Sequence, residues 1–183
     1  MPRLFVAVEM PPDVREGLAN VCHGVPSARW SGIEQMHLTL HFIGAVADAR
    51  FDDIVAALEE VEAEPFSVRI EGAGWFPPRG EPRVLWAGIA PCPPLMRLQH
   101  TVEAALAAIG LEGDGRAFHP HITLARLGDR AALRPVTDFV AAHSMLSSRP
   151  VEVDTFHLFS SELRREGALH TRETSFPLAA PER

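Results

Sequence analysis

Met36-His37-Leu38-Thr39-Leu40 returns 84 residues later as Pro120-His121-Ile122-Thr123-Leu124. Each copy reads His-x-Thr-Leu with an apolar residue at x. Successive side chains of an extended strand point to opposite faces. His37 and Thr39 therefore share one face, while Leu38 and Leu40 share the other and go to a core. His121 and Thr123 repeat that arrangement. One imidazole and one hydroxyl, presented twice, is what an acid–base pair acting on a phosphate needs.

Working outward, each motif strand sits in a similar neighbourhood. The order helix, motif strand, helix, strand, turn, strand occurs twice. Alternation predicts a first strand over residues 3–10, ended by Pro11-Pro12, and motif strands over 35–43 and 116–126. Helical spacing predicts helices over 12–22, 48–63 (capped by Asp48), 93–109 and 135–143. Strand pairs are expected at 66–76 with 83–90 and at 151–160 with 168–178, around turns at Pro77–Pro82 and Arg164–Gly167. Residues 24–32 read as a loop carrying Trp30. The 84-residue offset carries 66–76 onto 150–160 and 83–90 onto 167–174. This is the mark of an internal duplication within one 183-residue domain, with approximate halves 12–91 and 92–178. Two such copies predict two lobes related by a pseudo-twofold axis, their motif strands facing each other across a cleft.

Composition narrows the function classes. The net charge is −7, which argues against sequence-independent coating of long nucleic acid but leaves room for a small phosphate site lined by arginines. All 17 basic residues are arginine, a bias that reads as base composition of the genome. Apolar runs are too short for a membrane span, and the N-terminal stretch ends at Glu9 without a signal-peptide pattern. Cys22 and Cys92 are far apart and in no metal or redox spacing, so buried free thiols of a cytoplasmic protein are expected. A monomer is expected.

Two histidines in identical contexts make the candidate catalytic pair: His37 and His121. Thr39 and Thr123 can each donate a hydrogen bond to a non-bridging phosphate oxygen. Arg126 is read as lying on the same face as His121 and Thr123, aimed at the same anion. His41 and His119 are read as sharing that face too, which opens a rival: a zinc cluster of His37, His41, His119 and His121. That rival leaves the repeated threonines unexplained, and no metal or other cofactor is expected. Phe42 and Phe118 flank the motifs as possible stacking platforms for a base, and Trp30 and Trp75 lie where they could reach the cleft. There is no Walker loop, dinucleotide fingerprint or nucleophile elbow.

With these residues in view, the chain resembles the two-histidine phosphoesterases, and within them the bacterial and archaeal RNA 2′,3′-cyclic phosphodiesterases, also called 2′-5′ RNA ligases. The resemblance rests on the two motifs together with Arg3–Ala7, Leu40–Gly44, Pro82–Gly88, Phe118–Arg126 and Phe156–Leu163. One departure stands out: His170 occupies a place usually held by tyrosine. The resemblance implies a bilobal α+β fold with antiparallel sheets around a cleft. It implies metal-independent opening of a 2′,3′-cyclic phosphate on RNA ends or nucleotides, leaving a 2′-phosphate, with reverse 2′-5′ ligation as a companion activity. One histidine would activate water and the other protonate the leaving oxygen, with His121 assigned as base and His37 as acid. A protein that keeps the fold but only binds RNA ends or nucleotides, or needs a metal, is the alternative.

Overall fold

The computed structural model describes residues 3–129, 131–165 and 167–179. In chain order its elements are β1 (Arg3–Glu9), α1 (Pro12–Asn20), β2 (Ala28–Trp30), β3 (His37–Ala45), α2 (Phe51–Glu59), β4 (Phe66–Val68), β5 (Ile70–Phe76), β6 (Val84–Ile89), α3 (Pro93–Ala108), β7 (His121–Leu127), α4 (Leu133–Ala142), β8 (Val151–Val153), β9 (Thr155–Arg164) and β10 (Gly167–Pro177). The expected α+β antiparallel architecture is present.

Local chemistry explains the helix ends. Prolines occupy the first turns of α1 and α3, where their missing N–H costs nothing. Gly110 follows α3 at φ +80°, the left-handed conformation that stops a helix. Asp48 does not cap α2. It lies in a short 3-10 turn, Asp48–Arg50, that leads into the helix. In α3, Leu95, Leu98, Val102 and Leu106 are fully buried, and each such side chain contributes roughly 1.5–3 kcal/mol of burial.

The main sheet runs β10-β9-β1-β3-β7-β6-β5, and β2 joins β7 along the edge that β3 also uses. The expected loop around Trp30 thus contains a three-residue strand, too short to show alternation. The strand expected over 66–76 breaks at Arg69: β4 leaves to pair with β8, Phe66 opposite Val153, while β5 stays in the main sheet. The strand expected over 151–160 breaks at Asp154 in the same way. Around the central pair, β1 flanks β3 as β6 flanks β7, and β9 lies beyond β1 as β5 lies beyond β6. The stretch 167–174, expected to match β6, is instead in the outermost strand, β10. Of the turn expected over Arg164–Gly167, Arg164 and Gly167 pair across the hairpin, and Glu166 lies outside the described residues.

The buried side chains of all four helices join Leu38, Leu40, Ile122 and Leu124 in one cluster that spans both halves. All four helices therefore pack on one face of the sheet. On the other face a small separate cluster gathers Phe5, Ala7 and Phe159. Among the described residues that face carries no helix, and it holds the motif histidines. Cys22 and Cys92 are free and only half-buried. Among the described residues no helix is long and apolar enough to cross a membrane.

Candidate active site

β3 and β7 are joined at a single register position, Leu38 opposite Ile122. One step either way in an antiparallel register sets His37 against Thr123 and Thr39 against His121. The four motif side chains thus form a quartet around the Leu38–Ile122 pair, on the face away from the core. Beyond Ile122, β2 takes over the edge of β7 and holds β3 apart, with Ser31 donating to the Leu124 carbonyl at 2.8 Å. Past Leu38–Ile122 the two motif strands stop pairing, and the quartet's face is the one that the expected cleft would occupy.

Both motif strands carry a β-bulge at the same place. β1 sets Ala7 against Thr39 but Val6 against His41, and β6 sets Trp86 against Thr123 but Leu85 against Ala125. Leu40 and Leu124 are the extra residues, and beyond each the side chains swap faces. His41 is therefore turned to the helix side opposite Val6, 7% exposed and beside Glu103 and Asp114, not on the face of His37. Phe42 takes the cleft face instead, 69% exposed and with its ring 6.1 Å from Phe5. In β7 Ala125 goes to the core. Arg126, opposite Val84, comes onto the cleft face. Counting alternate residues from His121 would have sent Arg126 to the helix side; the bulge reverses that.

Each histidine sits in an aromatic nest. The His37 ring lies 4.6 Å from Phe159, 5.9 Å from Phe5 and 5.3 Å from His170. Phe76 meets the His121 ring edge-on at 4.9 Å, and Trp86 lies 6.3 Å away. The Trp86 indole is laid over Gly74, where an added Cβ would stand 2.3 Å from it. A main-chain carbonyl two residues upstream lies near each imidazole, and in His121 it makes a hydrogen bond. His121 Nδ1 meets the His119 carbonyl at 2.6 Å. Gln35 faces His37 in the same way, close enough to favour the charged ring but outside full hydrogen-bond geometry, so His37 Nδ1 is buried without a partner among the described residues. The Gln35 amide in turn donates to the Ala168 carbonyl at 2.6 Å, tying this approach to β10. With Nδ1 turned to the chain, Nε2 is left for the cleft.

Burial lowers both pKa values by disfavouring the charged ring. His37 is pushed down to about 4, first by desolvation and then by the positive charge that His170, Arg15 and His157 would add beside it. His121 is also lowered by desolvation, against the opposing pull of the His119 carbonyl. Thr39 and Thr123 stay partly accessible beside them.

Several expected neighbours are elsewhere. Trp30, opposite Ala125, packs on the helix side 5.6 Å from Phe139, and Trp75, opposite Leu85, also faces the core. Phe118 packs against the core, because residues 116–120 form an irregular approach and not the expected strand. That removes it from a stacking position. His119 is exposed next to Phe76. With His41 on the other face the four-histidine cluster does not form, and among the described residues no three His, Cys, Asp or Glu groups converge as metal ligands. Phe5, Phe76, Trp86, Phe159 and His170 were not singled out as site residues by sequence reasoning. Only the departure from tyrosine at His170 pointed to one of them.

A family model described as the 2′-5′ RNA ligase superfamily matches residues 26–165. The RNA 2′,3′-cyclic phosphodiesterase of Archaeoglobus fulgidus is 33% identical over 171 residues, covering 92% of this chain and 96% of its own. That of Thermus thermophilus is 34% identical over 188 residues, covering 96% and 90%. The crystal structure of the Thermus thermophilus protein TT0787 superposes with a TM-score of 0.80 at 28% identity, covering 98% of this chain and 100% of that one. Escherichia coli LigT in apo form gives 0.79 at 24% identity, covering 98% and 99%, a likeness of fold. The family match runs through both motifs and both bulges: the chain belongs to the 2′-5′ RNA ligase superfamily.

Proposed function

We propose that this protein is an RNA 2′,3′-cyclic phosphodiesterase, opening a terminal 2′,3′-cyclic phosphate to a 2′-phosphate. The observation that carries the reading is the quartet centred on Leu38–Ile122, with one histidine and one threonine arriving from each motif strand. The activity named for relatives at 33% and 34% identity along most of the chain supports it.

In this reading the cyclic phosphate sits over the quartet with its non-bridging oxygens on the Thr39 and Thr123 hydroxyls. Water attacks phosphorus from the His37 side and gives its proton to His37 Nε2. The P–O3′ bond breaks on the opposite side, and His121 Nε2 protonates the leaving O3′. These roles reverse the sequence-based assignment. Burial first, and then the charge of His170, Arg15 and His157, hold His37 neutral, as a base must be, while His121, also lowered by burial, keeps a full Nδ1 hydrogen bond to the His119 carbonyl that steadies its imidazolium form. With the 5′-hydroxyl of a second RNA end in place of water, the same groups would open the cyclic phosphate into a 2′-5′ phosphodiester: the hydroxyl gives its proton to His37, P–O3′ breaks, and O3′ takes a proton from His121. We place the enzyme in the cytoplasm, where two unpaired thiols stay reduced.

The test is incubation of a short RNA ending in a 2′,3′-cyclic phosphate, with chelator present, followed by analysis of the product end. A 2′-phosphate, resistant to a phosphatase specific for 3′-phosphates, is expected. A 3′-phosphate product, or activity lost to chelator and restored by zinc, contradicts the mechanism.

A further inference from the structure

Arg29 and Arg126 face each other across the β2–β7 pair. The Ser31–Leu124 and Ser27–Gly128 main-chain bonds lie two residues to either side, so Arg29–Arg126 is the hydrogen-bonded pair between them. Such pairs hold their Cα atoms about 5.5 Å apart. Both side chains are exposed, and both stand on the cleft face, in the row of Val84. Like charges directly opposite on a sheet are destabilising unless something negative lies between them. The described residues supply nothing of the kind. The neighbouring carboxylates of Glu81 and Asp129 are both engaged by Arg83, and neither Arg29 nor Arg126 has an acidic partner among the described residues.

The position of the pair relative to the quartet decides what it would hold. On the unbulged neighbour β6, Trp86 stands opposite Thr123 and Val84 opposite Arg126. The arginine row therefore lies two strand rises, about 6.6 Å, beyond the motif threonine, and four rises, about 13 Å, beyond His121. The row thus lies beside the reacting phosphorus, within an arginine's reach of an anion next to it. At the other end of the cleft the equivalent position in the duplicated pattern is Phe42, exposed beside Phe5. One end of the cleft is thus cationic and the other aromatic.

We propose that Arg29 and Arg126 form a subsite for a second phosphate, the phosphodiester immediately 5′ of the nucleotide that bears the cyclic phosphate. Two guanidinium forks on one row can share its two non-bridging oxygens. This subsite makes the enzyme selective for the end of an RNA chain over a free mononucleoside cyclic phosphate. The inference rests on the reading of the quartet as a cyclic phosphodiesterase site.

The experiment compares kcat/KM for three substrates: adenosine 2′,3′-cyclic monophosphate, a short oligoadenylate ending in a 2′,3′-cyclic phosphate, and the same oligomer with an uncharged methylphosphonate at the penultimate linkage. With wild-type protein the methylphosphonate is expected to lower kcat/KM roughly tenfold relative to the natural oligomer, the effect of a charge-assisted contact. Arg29→Gln is expected to lower the oligomer-to-mononucleotide ratio by a similar factor and to abolish the further effect of the methylphosphonate. Arg29→Lys should recover part of the ratio through its charge. An unchanged ratio in Arg29→Gln, or methylphosphonate penalties that are equal in wild type and variant, would overturn the subsite. The wild-type comparison needs no variant, so misfolding cannot obscure the outcome. Failure of the underlying reading shows separately, as no turnover of the mononucleotide, which contains no second phosphate.

Discussion

His37 is buried between two phenylalanines and a second imidazole, and its pKa of about 4 has a kinetic consequence. A base must be deprotonated, so its competent fraction rises above about pH 4. An acid must be protonated, so the competent fraction of His121 falls above a pKa that burial holds below the usual 6.5. The pH profile of kcat/KM, which reports the free enzyme, should therefore peak on the acid side, between about 4 and 6.5. A bound phosphate anion favours both imidazolium forms, so the profile of kcat should be displaced to higher pH. Coincident profiles centred above pH 7 would contradict this. His170 adds to the depression, since its ring lies beside His37 and would repel a second charge. In His170→Gln the His37 titration, followed by NMR of the imidazole, should move up towards 6.5; no movement would mean that burial alone sets it.

At the scale of the element, the feature that shapes the site is the bulge after each motif threonine. The indole of Trp86, laid over Gly74, is its companion on the His121 side. Gly74→Ala places a methyl into that ring, so the indole must leave or the strands must part. Overpacking of this kind costs about 1–3 kcal/mol. Urea denaturation should show a lowered midpoint, and activity should fall with it as His121 loses its support. Equal stability in the two proteins would refute the contact. The motif strands themselves, the helices behind them and the shared face of each motif histidine with its threonine were legible in the sequence, because alternation and an 84-residue repeat express them directly. The bulges were not. Leu40 and Leu124 are ordinary strand residues, and nothing in their chemistry announces that the face changes after them. That single omission misplaced His41 and made simple alternation the wrong guide to Phe42 and Arg126. Phe159 and His170 were hidden for another reason: they reach His37 through the pairing of β1 with β9 and of β9 with β10, contacts that no local pattern encodes.

Across the whole molecule, five histidines (His37, His41, His121, His157 and His170) have pKa values lowered chiefly by burial. Each is neutral in the fold and takes up a proton more readily once unfolded. The sign follows: the fold has its full stability above the unfolded pKa of about 6.5 and loses it as pH falls towards the folded values. His37 alone accounts for on the order of 3 kcal/mol by pH 4. The thermal midpoint should therefore drop steadily from pH 7 to pH 4, and a midpoint that is flat over that range would contradict the burial of these rings. In this account each motif strand brings one histidine to a shared phosphate. The most direct test is the turnover of an RNA 2′,3′-cyclic phosphate by His37→Ala, His121→Ala and the double variant, each verified as folded. Each single change should cost roughly 10²–10⁴-fold, and the double change less than the product of the two, since the pair acts as a unit. A folded single variant that keeps a near wild-type rate would contradict the account.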